Sequence, residues 1–78
     1  MRKATTKHVL KFIQLEHDKA KKKYKQNFNS THEGFAVLKE EVDELWDEVK
    51  RKYPSKEHMR EEAIQVAAMC VRFINELT

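Results

Sequence analysis

The sequence predicts an all-α protein: three helices, the second and third forming an antiparallel hairpin, assembled with copies of itself into a four-helix-type bundle. Three observations carry this expectation. One Gly and one Pro in 78 residues, with 37% of residues charged, suit long helices and disfavour a turn-rich sheet protein. Apolar residues recur at helical spacing in three successive segments. Residues 1–78 make a single domain, and a chain this short buries only a little over ~60% of the surface its unfolded form exposes. Such a core needs a disulfide, a metal or further subunits. Cys70 is the only cysteine, so an intrachain disulfide is excluded, a reducing compartment is expected, and metal or assembly is left.

The first helix is expected from about Thr6 to Gln26. Val9, Phe12, Ile13, Glu16, Ala20 and Tyr24 fall on one side of it, and its second half, Lys19 to Lys25, is nearly all Lys. The segment Asn27-Phe28-Asn29-Ser30 reads as a loop. Ser30-Thr31-His32-Glu33 then has the form of a capping box and starts the second helix. There Phe35, Leu38, Val42, Leu45, Trp46, Val49 and Tyr53 lie within a ~100° arc, the stripe of a helix packed on one side. Pro54 stops this helix at Tyr53, and Ser55 caps a third that runs to about Leu77. Apolar residues from Ala63 to Leu77 surround almost the whole third helix, which points to burial against a symmetry mate. Its polar stripe is Glu62, Gln65, Arg72 and Glu76.

The net charge of +3 conceals an asymmetry. Residues 1–26 hold nine Lys or Arg against Glu16 and Asp18, a net +7, and residues 27–78 carry a net −4. No apolar run approaches the ~20 residues a bilayer requires, and Met1 to Thr5 are not followed by an apolar signal core. A cytoplasmic protein is therefore expected, without a membrane partner.

On the second helix, Glu41, Glu44 and Glu48 stand at i, i+3 and i+7 along the edge of the apolar arc. Glu40/Glu44, Glu44/Glu48 and Asp43/Asp47 are like-charge pairs that weaken an isolated helix, offset by Asp47/Arg51 and Glu48/Lys52. Such a run is either a solvated face neutralised by the Lys-rich first helix or a cation site. In an antiparallel hairpin Glu41-x-x-Glu44 faces Glu62-x-x-Gln65, and paired carboxylates on facing helices are a recurrent way to hold divalent ions in a bundle. Hard oxygen donors of this kind suit Mg²⁺ or Mn²⁺.

At these residues the sequence resembles the MazG-like, all-α nucleoside triphosphate pyrophosphohydrolases, whose signature is Glu-x-x-Glu, a spacer, then Glu-x-x-Asp. Here Glu41-Val42-Asp43-Glu44 is followed after seventeen residues by Glu62-Ala63-Ile64-Gln65, within a resemblance covering roughly Glu33 to Leu77. The resemblance implies hydrolysis of a nucleoside triphosphate to the monophosphate and pyrophosphate. It makes Glu41, Glu44 and Glu62 the catalytic and metal-holding carboxylates, with Gln65 in the fourth ligand position. It also implies a homodimer or homotetramer. Gln65 departs from the Asp of the signature and leaves the site one negative charge poorer. Many relatives continue past the equivalent of Thr78 into a segment whose Lys and Asn hold the phosphates. Lys21, Lys22 and Arg72 are the candidates for that task here.

Two rival readings come from the same residues. The +7 segment would attract nucleic-acid phosphates, although it lacks an aromatic platform or docking motif. A non-catalytic helical oligomer is the other. His8, His17, His32 and His58 have no metal-ligand spacing, and Cys70, inside an apolar helix, reads as a buried structural thiol. Trp46 reads as core, and Arg72 and Glu76, at i and i+4, as a pair.

Overall fold

The computed structural model describes residues 5–78; Met1 to Ala4, and with them part of the expectation about a signal segment, lie outside it. Among the described residues the chain forms three helices and no strand: α1 (Thr6–Lys23), α2 (Thr31–Val49) and α3 (Lys56–Leu77). No helix is long and apolar enough to cross a membrane.

Each helix starts at a hydroxyl cap. Thr5, Ser30 and Ser55 accept from the backbone N–H groups of His8, Glu33 and His58 at 3.3, 3.1 and 3.2 Å, satisfying donors that the first turn leaves unpaired. The capping box at Ser30 is shifted: the Glu33 carboxylate accepts from the backbone and side-chain nitrogens of Asn29.

Two helices end earlier than expected. α1 stops at Lys23 rather than Gln26, because tertiary contacts take its continuation: Arg72 donates to the Gln26 carbonyl and the Phe28 N–H donates to Glu76. α2 stops at Val49 rather than Tyr53. Tyr53 precedes Pro54 and is disfavoured in the helical region, and the reversal into α3 occupies Lys50 to Pro54. The charge pairs shift with it. Asp47 meets Lys50 and Glu48 meets Arg51, each at 3.1 Å and i+3, in place of the i+4 partners Arg51 and Lys52.

α2 and α3 form the antiparallel hairpin. Glu48, late in α2, lies 3.5 Å from His58, early in α3, while at the other end a Cβ on Gly34 would come within 2.5 Å of Leu77 and 3.0 Å of Phe73. A side chain at position 34 would require Leu77 and Phe73 to shift. α1 runs beside α3 in the same direction, tied by Glu16–Gln65 and farther along by Lys21–Glu76. α3 thus packs on both other helices, while α1 and α2 do not pack on one another.

This arrangement alters the expectation for α3. Helices of its own chain flank it on two sides, and Ala68, Met69 and Arg72 are buried between them. Among the described residues the buried apolar core is only Phe28, Ala68 and Met69. Leu38 and Leu45 turn toward α3 and are half-buried. The rest of the α2 stripe faces out: Phe35 is 60% exposed and Trp46 57%, so Trp46 is not core. On α3, Ile74 is 60% exposed as well.

Candidate metal centre and its cleft

The hairpin brings together the carboxylates that the spacing singled out. Glu41 and Glu44 share one edge of α2 and Glu62 lies opposite on α3, and one oxygen from each falls within 4.8 Å of the others. No Lys, Arg or His among the described residues pairs with any of the three. The ion pairs of the acidic helix go instead to Lys39, Lys50, Arg51 and His58 of the hairpin itself. α1 therefore does not neutralise the face through direct pairs.

Three carboxylates this close repel one another. Burial first, then the charge of Glu44 and hydrogen bonding with its side chain, push the Glu41 carboxyl up to about 7, with the charges of Glu62 and Glu40 adding to it. Burial and then Glu44 raise Glu62 in the same way, and Glu48 and Glu61 contribute. One oxygen of Glu62 is buried without a hydrogen-bond partner. A buried acceptor left unpaired is costly, and a divalent cation would remove both the repulsion and the orphan. The donor set, hard oxygens on two rigid helices, fits Mg²⁺ or Mn²⁺.

Gln65 lies one turn beyond Glu62, and its Nε2 donates to Glu16 Oε2 at 2.9 Å. Both residues line a cleft of about 810 Å³ between α1, α2 and the loop joining them, as does Glu41. Lys19, Lys23 and Lys25 line it as well, together with Tyr24. The cleft therefore holds both signs of charge, Glu33, Glu40 and Glu41 from α2 and Glu16 from α1 against Lys19 and Lys23 of α1 and Lys25 of the loop.

The phosphate candidates fare differently. Lys21 donates to Glu76 at 3.0 Å and to Asn27 at 2.9 Å, and Lys22 is exposed and not among the residues lining the cleft. Arg72 does line it, but its Nε donates to Glu76 at 2.8 Å and one terminal nitrogen to the Gln26 carbonyl at 3.0 Å. The expected Arg72–Glu76 pair is present and mostly buried. These bonds, foremost the backbone N–H of Phe28 and then Arg72 and Lys21, hold the Glu76 carboxyl below its usual range against the opposing effect of burial. Lys21 and Arg72 thus fasten the α1–α2 loop, while Lys19, Lys23 and Lys25 face the cleft.

Glu16 and Phe28 are the residues that sequence reasoning passed over. A carboxylate inside the apolar row Val9, Ile13, Ala20 was the available signal for Glu16, and a lone aromatic in a polar loop the signal for Phe28. Compared with models of protein families, with curated proteins and with solved structures, the chain matches none of them.

Proposed function

We propose that this protein is a Mg²⁺- or Mn²⁺-dependent nucleoside triphosphate pyrophosphohydrolase, releasing pyrophosphate and the nucleoside monophosphate. The observation that carries the reading is the convergence of Glu41, Glu44 and Glu62 within 4.8 Å, unpaired by any base among the described residues, with Glu41 lining a cleft that Lys19, Lys23 and Lys25 line as well. The resemblance of Glu41-x-x-Glu44 and Glu62-x-x-Gln65 to the MazG-like signature supplies the reaction. A bound divalent ion would neutralise the triphosphate, orient it and activate a water molecule.

The chain's own residues do the rest. Glu41, Glu44 and Glu62 hold the ion. Lys19 and Lys23 of α1 and Lys25 of the following loop attract and position the phosphates, and Arg72 and Glu76 keep that loop in place. Phosphoryl chemistry of this kind depends mainly on positioning and charge stabilisation, which a small helical scaffold can provide.

The protein works as a homodimer or homotetramer in this reading. Phe35, Val42, Trp46 and Val49 on α2 are exposed large apolar residues on the flank away from the acidic edge, and Ala63, Ala67, Cys70 and Ile74 share the corresponding flank of α3. A two-helix apolar face of this kind, paired with its mate, makes a four-helix bundle. A screen of nucleoside triphosphates with Mg²⁺ or Mn²⁺, reading pyrophosphate release, tests the activity. Absence of release with every nucleotide, together with unchanged melting on adding either metal, refutes it.

A further inference from the structure

Gln65 occupies the place where the acidic pattern would put a fourth carboxylate, and Glu16 interrupts the apolar row with which α1 packs on α3. The two irregularities meet in one hydrogen bond, Gln65 Nε2 to Glu16 Oε2 at 2.9 Å, joining residues 49 apart in sequence. A glutamine amide has its donors on one branch and its acceptor oxygen on the other. Holding the nitrogen branch against a carboxylate excludes the flipped amide, in which two oxygens would face each other, and leaves the Gln65 oxygen directed away from Glu16. The cation nearest Glu16, Lys19 Nζ at 3.9 Å, is 80% exposed and offsets little of its charge.

We propose that Glu16 is a positioning residue of the metal site: through Nε2 it orients Gln65 so that the amide oxygen is the atom offered to the ion, and it supplies from α1 the negative charge that residue 65 lacks. The inference rests on the metal reading of Glu41, Glu44 and Glu62. Carboxylates placed behind a ligand commonly fix its orientation and strengthen it as a donor, and a neutral amide oxygen serves Mg²⁺ or Mn²⁺ when negative charge stands near. The fourth charge is thereby displaced onto a different helix rather than lost, and α1 becomes part of the site.

Four proteins decide this: wild type, Glu16→Gln, Gln65→Asp and the double variant, each titrated calorimetrically with Mn²⁺ and melted without metal. Glutamine at position 16 still accepts from Gln65 through its own amide oxygen, so Glu16→Gln removes the charge while keeping the bond. It weakens Mn²⁺ binding about 10- to 100-fold without lowering the metal-free melting temperature. Gln65→Asp alone sets two carboxylates face to face, lowering the metal-free melting temperature while tightening Mn²⁺ binding. In the double variant the charge returns at position 65, and affinity recovers from that of Glu16→Gln. Equal Mn²⁺ affinity in wild type and Glu16→Gln, or no recovery in the double variant, overturns the proposal and leaves Glu16 a packing residue. If wild type itself binds no Mn²⁺, the metal reading fails and this inference with it, a result distinct from the other two.

Discussion

The guanidinium carbon of Arg72 lies 3.9 Å from the centroid of the Phe28 ring, so a cation buried in α3 is capped by an aromatic ring from the loop between α1 and α2. The same guanidinium binds Glu76 and the Gln26 carbonyl. This junction holds the cleft wall, and Phe28 supplies one of the three buried apolar side chains among the described residues.

Arg72→Met removes the stack and leaves the Glu76 carboxylate with Lys21 and the Phe28 N–H in a site from which water is largely excluded. Breaking a buried ion pair by deleting one member costs about 3–5 kcal/mol, a large share of a small domain's stability. Urea unfolding followed by circular dichroism measures it. A loss below about 1 kcal/mol, the ceiling of an exposed pair, would show that the junction is solvated.

Stability without metal should depend on pH in a defined sense. Glu41 and Glu62 have folded-state values raised above those of the unfolded chain, so the native state holds more protons than the unfolded state between the ordinary carboxyl range and about 7. The metal-free protein therefore gains stability as pH falls from 8 through about 7 toward about 5. Glu76 is shifted the other way, and its contribution is lost only as pH falls below its ordinary value through its depressed one. Melting temperatures from pH 8 down to about 3, with and without Mn²⁺, check both signs. Because the metal requires deprotonated carboxylates, its stabilisation should fade on acidification.

Glu44 appears among the causes that raise both Glu41 and Glu62. Glu44→Gln should raise metal-free stability, by an amount on the order of a few tenths of a kcal/mol, and should abolish stabilisation by Mg²⁺ or Mn²⁺. Parallel thermal melts decide it; retention of the full metal effect would remove Glu44 from the ligand set.

Trp46→Glu places a charge on the exposed apolar flank without touching the acidic edge. Wild type should sediment as a dimer or tetramer at micromolar concentration, and Trp46→Glu as a monomer that keeps its helicity. The emission of Trp46 in wild type should shift to the red on dilution. A wild-type monomer throughout, with emission independent of concentration, would leave the face without a self-association role.

Gly34→Val tests the close approach at the end of the hairpin. Its Cβ would overlap Leu77 and press on Phe73, and overpacking of this kind typically costs about 1–3 kcal/mol, offset in part by the better helix propensity of Val over Gly. A net loss in urea unfolding is expected, with the Mn²⁺ effect retained because Gly34 is remote from Glu41, Glu44 and Glu62.

The three helices, their hydroxyl caps at Ser30 and Ser55 and the hairpin's antiparallel sense were legible in the sequence, because each depends on residues within a few positions of one another, whereas α2 ends at Val49, four residues before the Tyr53 stop that Pro54 suggested. Two Glu on one edge of α2 facing a Glu early in α3 followed from the hairpin, so the acidic cluster was legible too. Only the tertiary structure decided how α2 is rotated on α3, which half of its apolar arc is covered, and that α1 packs on α3 alone. It also redirected Lys21 and Arg72 from the cleft into the junction at Glu76, and it joined Gln65 to Glu16. These outcomes turn on contacts spanning roughly fifty residues, such as 16 to 65 and 28 to 76. Periodicity specifies which side of a helix is apolar. Competing burial of several partially apolar faces, a balance set by the whole chain, determines which of them meets a neighbour.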